Sequence, residues 1–238
     1  MHKIKRFLFT ALLELLLAIC YLSPSFAQDG WIFSDKLDND LEVIVVENHS
    51  VPLATISMAV KNGAFVETPE FDGLSHLYEH MFFKANRAIP NQEEYMKRLR
   101  ELGACWNGWT STETVNYFFT MPKDNLKEGL EFMNNAIRFP LFDQEEMERE
   151  REVILSEYDI NESDPYGYFA KQMGKKLWFK YYSRKNVIGD RQVIATATKD
   201  KMLTTQKRYY IPNNCALIVG GDVSPEEVFS ISVEFFGD

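Results

Sequence analysis

The stretch GLSHLYEHMFFK, residues 73–84, decides the reading of this chain, because it places His76, Glu79 and His80 at a spacing that a helix turns into one face. At 3.6 residues per turn, positions i, i+3 and i+4 point the same way, so two imidazoles and a carboxylate share a side. Leu74, Leu77, Tyr78 and Met81 fall on the other side and can pack. Asp72 is the expected N-cap, and the segment from Glu67 to Asp72, with Pro69, reads as the loop that ends where the helix begins.

Two neutral imidazoles one turn apart bind zinc through one nitrogen each, at about 2.0–2.1 Å, and leave positions for a further protein ligand and a water. A metal held this way lowers the pKa of that water to about 7. Glu79 lies about 60° from His76 around the helix axis, near enough to bond such a water without serving as a ligand, and is assigned as general base. The order H-x-x-E-H inverts the commoner H-E-x-x-H and belongs among the zinc peptidase signatures. The alternatives are a solvated surface helix or a core histidine paired with glutamate. A third ligand separates them.

Upstream, MHKIKRF carries Lys3, Lys5 and Arg6, followed by an apolar run from Leu8 to Leu22 interrupted by Glu14, then Ser25-Phe26-Ala27. Residues 1–27 read as a cleaved secretory signal peptide, which places the mature chain in a secreted or periplasmic location. A membrane anchor is the second reading, but the run is short of the ~20 apolar residues a span needs. No stable membrane span is expected after cleavage. Loss of the signal removes three cations and one anion, taking the net charge from −9 to −11. A surface this acidic argues against nucleic acid as a partner. Residues 28–238 then form one catalytic domain, with Cys105 and Cys215 either paired or both buried as free thiols.

Trp31 to Phe33, Leu41 to Glu47 and Leu53 to Val60 read as strands joined by turns at Asp38-Asn39-Asp40 and Asn48-His49-Ser50, an antiparallel meander. His49 is expected to be an exposed loop residue. Beyond the His-bearing helix, Gln92 to Leu102 is helical and closed by Gly103. Ala104 to Thr110 and Val115 to Met121 pair as strands, with Asn107 a polar residue inside the first, at a turn or an edge. Asp124 to Arg138 is helical. The next helix, Asp143 to Asp159, is expected to turn Met147, Val153 and Ile154 inward together with Glu150 and Glu157. A buried glutamate is costly unless paired or bound to a metal, so each of these two either takes a salt bridge or supplies the missing ligand. Ala216 to Gly220 closes the sheet and a helix from Pro225 follows it. The expected architecture is α+β, a mainly antiparallel sheet with helices packed on one face.

Together, GLSHLYEHMFFK, LGACWNGWTSTETVNYFFTMP, EREREVILSEYDI and YYIPNNCALIVGGDVSPEEV resemble, in order and spacing, the amino-terminal catalytic half of the pitrilysin and insulinase family of zinc metallopeptidases. The chain is similar to the beta-type domains of mitochondrial processing peptidase, a member of that family. The resemblance implies one zinc ion held by His76, His80 and Glu157, with Glu150 as the glutamate that orients the ligands from outside. It matches Asn107 to the asparagine of an edge strand beside which a peptide substrate lies as an added strand. Hydrolysis of peptides or unfolded segments follows, with Glu79 passing a proton from the water to the leaving amine. Two departures stand out: Asn107-Gly108 where the family has Asn-Ala, and Lys84-Ala85-Asn86 where it has Lys-Gly-Thr. Members normally carry a second, similar half that closes the chamber, so a second domain or chain is an expected partner, and without it the chain is expected to be an incomplete or silent subunit.

Overall fold

In β3 (Leu53–Val60), Ala54, Ile56, Met58 and Val60 are buried while the residues between them are only partly covered, the period of two by which a strand offers one face to a core. The same alternation runs through β5 (Val115–Pro122) with Val115, Tyr117, Phe119 and Met121. β2 (Glu42–Glu47) contributes Val43 and Val45, and β6 (Cys215–Gly221) contributes Leu217 and Val219. The chain is seen here as a computed structural model that describes residues 31–180 and 186–238. The signal expected at 1–27 lies outside the described residues.

With β1 (Ile32–Lys36) and β4 (Cys105–Thr110), these strands form a six-stranded sheet in the order β1-β2-β6-β3-β5-β4. Every neighbouring pair is antiparallel except β2 with β6. The fold is α+β, with a mixed but mainly antiparallel sheet. The meander expected over residues 31–60 is corrected here: β1 and β2 pair, but β6 inserts between β2 and β3. A strand with an apolar run such as Ala216 to Val219 reaches its lowest free energy with both edges paired and its face covered.

Eight helices follow among the described residues: α1 (Leu74–Phe82), α2 (Gln92–Glu101), α3 (Leu126–Arg138), α4 (Gln144–Ser163), α5 (Pro165–Leu177), α6 (Arg191–Ala195), α7 (Lys199–Tyr209) and α8 (Pro225–Phe236). On the buried face of the sheet, α3 packs against β3 and β5, α8 against β2, and α1 against β4 and β5. The opposite face carries half-covered polar side chains, with Thr55 and Thr120 hydroxyls 2.9 Å apart and Ser57 donating to Asn116 at 2.8 Å. No described helix is long and apolar enough to cross a membrane.

Other expectations shift. Cys105 is exposed and Cys215 half-buried, and the two are free. They sit on β4 and β6, three strand spacings apart and at opposite ends of the strands; the lateral distance alone is roughly 14 Å, beyond the ~7 Å reach of a disulfide. Val153 is exposed instead of inward. The buried residues of α4 are Met147, Glu150, Ile154 and Tyr158, whose mean direction lies about 100° from Val153 at 100° per residue. Glu157 falls about 65° from that direction, at the edge of the stripe.

A candidate metal centre between two helices

α1 is fixed by its apolar side. Leu74, Leu77, Tyr78, Met81 and Phe82 are all buried, Tyr78 stacks on Tyr210 at 3.8 Å, and Phe82 stacks on Tyr117 of β5 at 3.9 Å. Each such side chain stabilises by on the order of 1.5–3 kcal/mol, so the opposite face has little freedom. Its start differs from expectation: the N-cap is Gly73 in a left-handed conformation, and Asp72 ends a 3₁₀ turn. The free amides of Gly73 and Ser75 donate instead to the buried carboxylate of Glu67, at 2.9 and 2.7 Å. A carboxylate at a helix N-terminus meets both the unpaired donors and the positive end of the dipole.

The other face presents His76 and His80 with ring centroids 4.8 Å apart and planes nearly perpendicular. Their Nε2 atoms are 3.3 Å apart. From α4, the Glu157 carboxylate places one oxygen 3.8 Å from the His76 Nε2 and the other 3.9 Å from the His80 Nε2. All three donors lie within 4.8 Å of one another. Two nitrogens bound to one tetrahedral zinc at 2.0–2.1 Å stand about 3.3–3.4 Å apart, so the imidazole pair already has the required separation. To serve as third ligand through one oxygen, the Glu157 carboxylate would have to close on the imidazole pair. Burial first, then the neighbouring His80, lowers the pKa of His76 to about 4, which keeps its imidazole in the neutral form that ligates. The donor set therefore fits zinc.

Glu150 stands behind this set. It is buried, accepts from His80 Nδ1 at 2.9 Å and meets Lys84 Nζ at 2.6 Å. Burial pushes its carboxyl up, and the bonds to His80 and Lys84 more than offset that, leaving it below the ordinary carboxylate value. The His80 bond assigns the proton to Nδ1 and frees Nε2 for a cation.

Glu79 turns from the donor set toward β4. Its Oε2 accepts from the Thr110 hydroxyl at 2.6 Å. Burial raises its pKa, opposed by the Thr110 bond and by His80, and a carboxyl raised toward neutrality is better matched to taking and returning a proton. Gly108 runs beside it: a Cβ there would stand 3.3 Å from Glu79 Cγ and 3.1 Å from the Phe83 ring. By the pleat, Asn107 faces away from Glu79; its side chain is exposed and accepts from its own neighbour, the Gly108 amide, at 2.8 Å. The structure therefore gathers His76, Glu79, His80, Glu150 and Glu157 in one place and sets Asn107 along the adjoining sheet edge without bringing its side chain to them.

Glu67, Lys84 and Thr110 escaped the sequence reading. Lys84 carried a signal, since it follows His80 by four residues. Thr110 shares strand parity with Gly108, but nothing local ties that parity to Glu79.

Comparison with known proteins places the chain in a family. A family model described as Insulinase (Peptidase family M16) matches residues 42–187, and one described as Peptidase M16 inactive domain matches 196–238. An uncharacterized zinc protease of Rickettsia felis is 25% identical over 201 residues, covering 84% of this chain and 48% of that protein. The uncharacterized zinc protease YmxG of Bacillus subtilis is 23% identical with the same coverage, 84% and 48%. The chain thus spans about half the length of these relatives. The crystal structure of the periplasmic protease PqqL from Escherichia coli shares the fold with a TM-score of 0.80 at 21% identity, over 88% of this chain and 24% of that one.

Proposed function

Because this chain belongs to the insulinase family of peptidases, M16, we propose that it is the metal-bearing half of a zinc metalloendopeptidase acting on peptides or unfolded segments. The observation that carries this reading is the convergence of His76, His80 and Glu157 to within 4.8 Å across two helices, with Glu79 beside them. One zinc ion there would supply Lewis acidity toward the scissile carbonyl and a water of near-neutral pKa. Glu79, positioned by Thr110, takes the proton of the attacking water and delivers it to the departing amine. Glu150 holds His80 in the ligating tautomer.

The outer edge of β4 is where an extended peptide would add as a further strand, passing Asn107 and Gly108 next to Glu79. Backbone pairing of this kind accepts varied side chains. Residues 28–238 act as the catalytic domain, residues 1–27 as its export signal, and the mature location is secreted or periplasmic. A second, similar domain or chain would cover the centre; the half-length match to relatives favours activity that depends on it, since water exclusion strengthens every electrostatic term in the site.

The test is zinc content together with cleavage of an unfolded peptide. The wild-type chain should hold one zinc, and Glu79→Gln should retain it while losing about 10²- to 10⁴-fold in rate. A wild-type chain without zinc overturns the reading. Zinc without cleavage assigns the chain to the incomplete-subunit form of it.

A further inference from the structure

We propose that Lys84 is a positioning residue for the metal centre: it fixes the Glu150 carboxylate, which fixes His80, and so sets the affinity of the site for its cation. The inference rests on reading His76, His80 and Glu157 as metal ligands.

Lys84 lies two residues beyond α1, and its Nζ reaches the Glu150 carboxylate that also bonds His80. It is only 14% exposed, and the Glu150 side chain it meets is 10% exposed. Lysine is rarely covered to this degree unless paired. The two oxygens of Glu150 are divided between two partners: Oε1 faces Lys84 Nζ at 2.6 Å and Oε2 faces His80 Nδ1 at 2.9 Å. A carboxylate held through one oxygen alone can swing about its last bond. Anchored at Oε1 as well, it offers Oε2 in a single direction, and the His80 ring must follow. That ring orientation is what aims Nε2 at the point it shares with His76, 3.3 Å away. Lys84 therefore acts on the cation through two intervening groups and touches neither cation nor substrate.

The competing role is a plain tether, since the same contact joins α1 to α4. A tether adds stability whether or not Glu150 serves His80. A positioning residue changes metal affinity only while the Glu150 carboxylate is present. The experiment uses the full chain, zinc competed against a chromophoric chelator, and the visible absorption of the Co²⁺-substituted protein. Lys84→Met should weaken zinc binding about tenfold, the lower end of what outer partners of metal ligands contribute, and should alter the Co²⁺ spectrum. In a Glu150→Gln background the same substitution should change affinity less than about twofold, because coupled groups are not additive. If Lys84→Met does not fold, Lys84→Gln carries the same comparison. Unchanged affinity overturns the proposal in favour of the tether, and an equal loss in both backgrounds overturns it by showing that Lys84 does not act through Glu150. A wild-type chain that binds neither metal overturns the metal-centre reading itself, a result separable from the other two.

Discussion

At His49 the two ring nitrogens divide between two carboxylates, Nδ1 2.6 Å from Asp222 and Nε2 2.9 Å from Glu47, while Lys123 meets the other Asp222 oxygen at 2.6 Å. The residue is exposed, as its turn position implies, yet it is paired. The Asp222 bond first, then the Glu47 bond, raises its pKa above the ordinary 6.5. The folded chain thus holds a proton at His49 that the unfolded chain releases earlier. The contribution is complete below pH 6.5 and is lost as pH rises through the raised value. Urea midpoints should fall slightly between pH 6 and 8.5, and His49→Gln should flatten that slope; an unchanged slope would show that solvent screens the pair completely. At this scale the spacing of His76, Glu79 and His80 was legible because it is local to one helix. Glu67 as the cap of α1 was not, since its carboxylate reaches the Gly73 amide across an intervening 3₁₀ turn. The Lys84 partner, Glu150, is likewise set by tertiary packing.

Among the elements, β6 carries the sharpest constraint. Gly221 ends it with φ +128°, and a Cβ there would stand 2.1 Å from the Leu53 carbonyl oxygen. At this point β2 and β3 are both tied to β6: the Asn48 amide donates to the Gly221 carbonyl, and the Asp222 amide to that of Leu53, each at 2.8 Å. Gly221→Ala should therefore destabilise by more than about 1 kcal/mol, against the usual small gain from replacing glycine. Gly220→Ala meets only ordinary contact, 3.6 Å from Val46, and should stay within about 0.5 kcal/mol of wild type. Equal urea midpoints for the two variants would remove the constraint. Alternation made β2, β3, β5 and β6 legible, because each carries its own period of two. Their order was not, because the turn after β2 signals a reversal and contains nothing about a strand from the far end of the chain entering beside it. α4 shows the same division. Its inward stripe was readable, but the stripe's width depends on how closely α1 approaches, which left Val153 outside and Glu157 on the rim.

For the whole molecule, the donors of the candidate centre come from two helices anchored in one core, α1 through Tyr78 and Phe82, and α4 through Met147 and Ile154. An unfolded chain has no reason to hold His76 and Glu157 together. A cation bound by all three donors therefore binds the folded state alone, and its binding free energy becomes folding free energy. At a free zinc concentration ~1,000 times Kd this is about 4 kcal/mol. For a chain of this size that corresponds to a rise in Tm of roughly 8–16 °C over the chelator-treated protein. Differential scanning calorimetry with EDTA and then with zinc measures it directly. His76→Ala and His80→Ala should each abolish most of the rise. Glu157→Ala should leave a smaller one, because the imidazole pair alone already has the tetrahedral separation. A rise below about 2 °C in saturating zinc would mean that the three side chains do not act as one site. The shift is a property of the three donors themselves and is read without turnover, so calorimetry tests the ligands independently of any partner.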